Sequence, residues 1–324
     1  LKKALIIGSG SIGRRHAENI RQLFPGIEFM LLRRTALQNT LAKDLGARAV
    51  LCMEDALKWT PDFAVISSPS SKHLEDLIPL LKNKIPFYIE KPVVTTKNDL
   101  EYLQKSLIDG APVTMSGCNL RFLPSVSALK KIICEGEIGV VVRATLEAGQ
   151  WLPDWRPLHD YRKSYSADSL FGGGVLFDLV HELDMARFLF GEFSDVRAFA
   201  AKNSSLEITS EDTACVILKA KEGNILVSVN LDYVSRVPKR RYEIVGEKGS
   251  LCWDLWENTL LLIKPEGNRR IDCGVGAFDV AATYLSAMTE FTEGVKSNAD
   301  TSQNLQEGMY SAELVIKVRE MAGL

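Results

Sequence analysis

The chain has 324 residues, of which 46% are hydrophobic and 25% charged, and a formal net charge of −2. That length favours two domains over one core, and the lack of a basic excess argues against nucleic acid as a partner. No apolar stretch approaches the ~20 residues that span a bilayer. Six cysteines, scattered without C-x-x-C or His/Cys ligand spacing, argue against a disulfide framework or a metal site and fit a reducing cytoplasm.

In chain order, the apolar run Ala4-Leu5-Ile6-Ile7 reads as a core strand, which leaves no room for a signal peptide. It runs into Gly8-Ser9-Gly10-Ser11-Ile12-Gly13 and then a helix over 14–23. A second apolar run, 29–32, ends at Arg33-Arg34, about 20 residues after Gly13. Strand, G-x-G-x-x-G turn, helix and strand make a dinucleotide-binding unit. Gly8 permits the tight turn, Gly10 admits a pyrophosphate to the backbone, and Gly13 lets helix and strand pack closely. Free N–H groups at the helix start, from Ser11 and Ile12, complete the phosphate site. An NAD enzyme ends its second strand in a carboxylate that binds the ribose 2′-hydroxyl. Arg33 and Arg34 stand there instead, so NADP(H) is favoured, with NAD(H) as the alternative.

Further βα alternation follows. Helices are expected at 37–45, 53–59, 72–83 and 98–108, and strands near 49–50, 62–66, 86–89 and 112–116. This is the rhythm of a doubly wound parallel sheet, a Rossmann domain over 1–120. Between 138 and 263 the pattern changes to β-branched runs separated by turns, among them 140–146, 196–201, 214–219, 225–231, 241–245 and 259–263. Glu222-Gly223-Asn224 and Glu247-Lys248-Gly249 read as hairpin connections. Residues 121–324 are therefore expected to form an α+β domain with a mostly antiparallel sheet, and helices at 124–134, 175–190, 278–296 and 303–322. Its sheet has an outer face that a homodimer or homotetramer would cover.

Glu90-Lys91-Pro92 at a strand end, then Gly172-Gly173-Gly174-Val175-Leu176-Phe177-Asp178-Leu179-Val180-His181-Glu182-Leu183-Asp184, resembles the Gfo/Idh/MocA oxidoreductases. Ser68-Pro69 with His73, and Asn119-Leu120-Arg121-Phe122, are similar landmarks in the same order. The resemblance implies an NAD(P)-dependent dehydrogenase of sugars, inositols or sugar nucleotides, and a cis peptide before Pro92. Many members place four steps between the aspartate and the histidine, whereas Asp178 and His181 are three apart. That form, with Trp151-Leu152-Pro153-Asp154-Trp155-Arg156-Pro157 upstream, looks like a branch associated with surface-polysaccharide sugars.

In an open α/β sheet, ligands lie beyond the carboxyl ends of the strands. This makes Ser68, Pro69, His73, Glu90 and Lys91 candidate cofactor contacts. Lys91 is also a candidate donor that stabilises alkoxide charge on the substrate. His181 is the candidate acid/base, since an imidazole titrates near neutrality. Asp178 orients one of them or anchors a neighbouring hydroxyl. If 175–190 is one buried helix, Asp178, His181 and Asp184 spread over about 120° of it, and such ionisable groups need partners or a polar cleft. The glycine triplet would let another chain or ligand approach. Asn119, Arg121, Trp155, Arg156 and Tyr161 are candidate substrate contacts. The rival from another class is a non-catalytic nucleotide-binding sensor or corepressor on the same fold. A second enzymatic rival reduces an unsaturated ring or an imine without His181.

Overall fold

A computed structural model describes residues 1–34, 40–108, 110–155 and 157–324. They group into two compact units, Leu1–Asn119 with Ala281–Glu313, and Leu120–Val280 with Leu314–Leu324.

The first unit is built on β1 (Lys3–Ile7), α1 (Ser11–Leu23), β2 (Glu28–Leu32), α2 (Thr40–Leu45), β3 (Arg48–Val50), α3 (Met53–Lys58), β4 (Phe63–Ile66), α4 (His73–Lys82), β5 (Phe87–Ile89), α5 (Lys97–Ser106) and β6 (Thr114–Ser116). The strands form a parallel six-stranded sheet in the order β3-β2-β1-β4-β5-β6. Helices on the faces of such a sheet bury both sides of its strands, so these read as unbroken apolar runs. In β4 every residue is buried. The register aligns Val50, Leu32, Ile7, Ile66, Ile89 and Ser116 in one row. The residues that follow them therefore share one edge of the sheet. Of the helix expected at 37–45, only Thr40–Leu45 falls among the described residues.

The second unit contains α6 (Pro124–Cys134), β7 (Val141–Gly149), α7 (Val175–Asp178), α8 (Val180–Phe190), β8 (Phe193–Ala201), β9 (Thr213–Ala220), β10 (Leu226–Asp232), β11 (Lys239–Gly246), β12 (Gly249–Asp254), β13 (Thr259–Lys264) and β14 (Gly267–Arg270). Its eight-stranded sheet runs β14-β13-β12-β11-β7-β10-β9-β8. Neighbours are antiparallel except β7 and β10, which are parallel. Along β9, Ala214, Val216, Leu218 and Ala220 turn inward while the intervening residues stay in solvent or half-buried, the period of a sheet with one covered face. The core beneath includes Leu129 of α6, Leu183 of α8 and Trp253, whose indole stacks on Tyr242 at 4.5 Å. The single helix expected over 175–190 is two: Leu179, at φ −99° and ψ 31°, separates α7 from α8. β12 and β14 were not among the runs read from the sequence, since β14 (Gly-Asn-Arg-Arg) is wholly exposed and has no apolar face to announce it.

The remaining helices are α9 (Val280–Ser297) and α10 (Leu305–Met321). The compact units divide the chain differently from the expected 1–120 and 121–324, in that residues 281–313 group with the first unit. The reason is packing. The Phe291 ring meets Phe63 of β4 edge-on at 5.7 Å and Tyr88 of β5 at 6.1 Å, and Leu305 donates its N–H to Thr114 Oγ1 at 2.8 Å.

Candidate active site

The turn after β1 is held by glycine geometry. Gly8 has φ +96°, and a Cβ there would lie 2.6–2.7 Å from the Ser67–Ser68 backbone. A Cβ on Gly13 would collide with the Gly8 carbonyl and Ser67 Oγ, so α1 lies against β1 only because glycine is there. Gly10 differs: no atom lies within 4 Å of its Cβ position. It precedes α1 without offering a side-chain cap, and the first turn, with Ser11 and Ile12, carries no acidic residue. The unsatisfied N–H groups there form a cradle that fits an anion such as a pyrophosphate.

Along the same edge, Ser67 Oγ donates to the Ile7 carbonyl at 3.0 Å, and Ser68 Oγ donates to Asp76 Oδ2 at 2.5 Å. Asp76 Oδ1 accepts from Arg34 Nη2 at 2.8 Å, and Glu75 stands 3.5 Å from the same nitrogen. Burial pushes the Asp76 carboxyl above its usual range, opposed by Ser68 and Arg34. Arg33 is half-buried, and its backbone N–H donates to the Val50 carbonyl. Pro69 is exposed.

Two expected cofactor contacts turn inward. His73 is sealed from solvent, with Nδ1 2.8 Å from the Pro92 carbonyl and Nε2 3.0 Å from that of Ser68. It braces two loops, and burial holds its pKa below the ordinary imidazole value. Glu90 Oε1 lies 2.6 Å from Nε2 of the fully buried His16, which fixes the start of the Glu90-Lys91-Pro92 loop against α1. Lys91 itself is half-buried at the end of β5, and its peptide bond to Pro92 is cis, as the resemblance implied. Asn119 is buried, and its amide donates to Thr283 Oγ1 at 2.6 Å.

In the second unit the glycine triplet meets the chain's own groups. A Cβ on Gly173 would strike the carbonyls of Tyr165, Ser166 and Asp168, and one on Gly174, at φ +119°, would strike the Glu211 carboxylate. That carboxylate accepts from the Leu176 N–H at 3.2 Å and pairs with Arg319 at 3.0 Å. At Gly173 and Gly174 the close approach that the triplet permits is thus made by the chain's own carbonyls and carboxylate.

Beyond the triplet, Asp178 is buried and its Oδ2 accepts from Tyr233 Oη at 2.7 Å. Burial first, then the Asp178 charge, pushes the Tyr233 hydroxyl well above the usual phenol value, so it stays a donor. Asp184 is clamped by Arg121 through two bonds of 2.8 and 2.6 Å, with both side chains buried. Arg121 thereby has a structural task. From 172 to 187 His181 alone is not buried. Its neighbour Glu182, fully buried, is bonded by Arg240 at 2.7 Å and by Tyr242 at 3.2 Å.

Strands β7 and β10 end side by side, with Gly149 opposite Asp232. Just past them Leu152 donates its N–H to the Tyr233 carbonyl, and the Trp155 ring meets Tyr233 edge-on at 5.2 Å. The Arg236 guanidinium lies 3.6 Å over the Trp151 ring. Tyr161 is half-buried, and its Oη accepts from the Glu207 N–H at 3.2 Å. Arg156 lies outside the described residues. Tyr233, Glu182 and Arg236 carry no local signal in the sequence, since their partners Asp178, Arg240 and Trp151 lie far away along the chain.

A family profile for oxidoreductases with an NAD-binding Rossmann fold matches residues 2–112, and one for the GFO/IDH/MocA C-terminal domain matches residues 126–252. The chain belongs to the GFO/IDH/MocA family. As a GFO/IDH/MocA protein it is an oxidoreductase of an NAD-binding fold. It is 27% identical over 318 residues to a myo-inositol 2-dehydrogenase of Thermotoga maritima, covering 94% of this chain and 91% of that one. The crystal structure of a myo-inositol dehydrogenase from Corynebacterium glutamicum superposes with a TM-score of 0.79 at 26% identity, over 99% of this chain and 96% of that one. A levoglucosan dehydrogenase in complex with NADH shares the fold, with a TM-score of 0.85 at 20% identity over 99% and 97% of the two chains. Among the described residues no three His, Cys, Asp or Glu side chains are grouped to hold a metal ion. Nor is any described helix long and apolar enough to cross a membrane.

Proposed function

We propose that the protein oxidises a secondary alcohol of a sugar, inositol or sugar nucleotide, or reduces the matching ketone. The observation that carries this reading is the row of aligned strand ends. It sets the uncapped start of α1, open at Gly10, and the loop of Lys91 along one sheet edge. The dinucleotide, when bound, supplies or accepts the hydride. Turn 8–13 holds its pyrophosphate, with Ser68 and Pro69 on the adjoining loop.

Lys91 donates a hydrogen bond to the reacting oxygen and stabilises negative charge on it. His181 takes the hydroxyl proton on oxidation and returns it on reduction. Asp178, oriented by Tyr233, anchors a neighbouring hydroxyl. Trp155, Tyr161 and Arg156 remain candidate substrate contacts, whereas Asn119 and Arg121 are engaged by Thr283 and Asp184.

The arginines after β2 favour NADP(H) over NAD(H), with Arg33 as the main phosphate ligand. Arg33→Ala is expected to weaken NADP binding about tenfold and NAD binding little, since a charge-assisted bond to phosphate is the stronger kind. Exposed Phe199 and Ile217 on the outer face of the second sheet support a homodimer or homotetramer, which light scattering of the purified protein measures. Six cysteines, none bonded to another, fit a cytoplasmic enzyme.

The decisive assay follows reduced-nicotinamide absorbance over a panel of inositols, hexoses and nucleotide sugars. Turnover with at least one is expected. Tight dinucleotide binding without turnover on any would replace this reading with the sensor.

A further inference from the structure

In dinucleotide-binding folds the carboxyl end of the second strand carries the group that reads the adenosine ribose. A carboxylate there binds the 2′-hydroxyl, and an arginine accommodates a 2′-phosphate. This chain has two arginines at that point, and a carboxylate reaches one of them from another element. Asp76 lies in the first turn of α4 and is 3% exposed. Ser68 Oγ orients its carboxylate by donating to Oδ2 at 2.5 Å, and Oδ1 faces Arg34 Nη2 at 2.8 Å. Glu75 adds a second negative charge 3.5 Å from that nitrogen. Arg33 has no carboxylate partner among the described residues.

We propose that Asp76 is a specificity-determining residue for the cofactor: by holding the Arg34 guanidinium it withholds one of two cations from a 2′-phosphate and moderates the preference for NADP(H). The inference rests on the nucleotide-binding reading above. A phosphate that recruited Arg34 would leave the Asp76 carboxylate buried without its cation, and breaking a buried pair by removing one partner is costly. An isolated surface ion pair would matter little. This one has a buried, pre-oriented acceptor, and its cost falls only on the ligand that needs Arg34.

The experiment measures dissociation constants for NAD and NADP by calorimetry on the full-length chain, comparing wild type with Arg34→Ala, Asp76→Asn and the double variant. Arg34→Ala is expected to change NADP affinity by no more than about twofold, because Arg34 is already engaged. Asp76→Asn keeps the shape and the Ser68 contact, and is expected to tighten NADP about tenfold while leaving NAD within about twofold. The double variant should lose that gain.

Either of two results overturns the proposal. One is a tenfold loss of NADP affinity in Arg34→Ala alone, which needs no Asp76 variant to fold. The other is an Asp76→Asn protein with wild-type melting temperature and an unchanged NADP-to-NAD ratio. A wild type that prefers NAD removes the NADP reading alone; Asp76→Asn must then still tighten NADP about tenfold relative to wild type, and failure to do so overturns this proposal as well.

Discussion

At the scale of the residue, the proposed chemistry rests on two side chains that the fold leaves half-buried. Lys91 follows a fully buried strand, and His181 interrupts a run of buried positions. Lys91→Ala and His181→Ala are each expected to lower turnover strongly, the histidine by roughly 10²–10⁴ as a lost acid/base and the lysine comparably as a lost oxyanion donor. Cofactor affinity should stay near wild type in both. If the two act on one oxygen, the double variant is little worse than the poorer single variant. Melting temperature, cofactor affinity and turnover measured together separate this from a structural role, and normal turnover in folded Lys91→Ala would defeat the mechanism. These residues were legible because their signals are local: glycine spacing, a strand end, a histidine in an apolar run. Their supporting partners were not. Tyr233 is 55 residues from Asp178, Arg240 is 58 from Glu182, and Asp76 is 42 from Arg34. No periodicity in a sequence pairs positions that far apart, so nothing in the chain announces that Asp184 pairs with Arg121 or that Asn119 bonds Thr283.

At the scale of the element, strands and helices of the first unit followed their apolar periods closely, whereas the segment 172–190 did not. An all-apolar composition carries no phase, so nothing in it marks the break at Leu179. Glycine sets the entry to that segment. Gly174 sits at φ +119°, where an L side chain is strained, and its missing Cβ leaves room for the Glu211 carboxylate at the start of α7. Gly174→Ala must either rotate the backbone or displace a carboxylate that also holds Arg319. The expected loss is about 1–3 kcal/mol from the strained conformation alone. It is read as a lower urea midpoint at constant slope, and an unchanged midpoint would mean that the segment accommodates a side chain without cost.

At the scale of the whole molecule, a doubly wound sheet needs both faces covered, and this chain uses a helix from near its end for the purpose. Phe291 of α9 is fully buried, with its ring against Phe63 and Tyr88, themselves buried completely. The sequence marks 278–296 as a helix but gives no address for the side that Phe291 occupies, which explains why the division at 120 placed it with the second domain. If α9 is part of the first unit's core, Phe291→Ala should cost about 3–5 kcal/mol, the range for deleting a buried aromatic ring. The loss should appear in unfolding of the nucleotide-binding unit. Residual folded protein should still bind dinucleotide, because no group of turn 8–13 has changed. A fragment ending at residue 280 tests the same point more severely. It keeps all six parallel strands and the Gly8, Gly10 and Gly13 turn, yet exposes Phe63 and Tyr88 together. That fragment is expected to lack a cooperative melting transition and to bind NAD at least about tenfold more weakly than the full chain, since a site that is only fractionally populated binds in proportion to that fraction. Wild-type affinity and a sharp transition in the fragment would show that the six strands and their own helices close the core without α9.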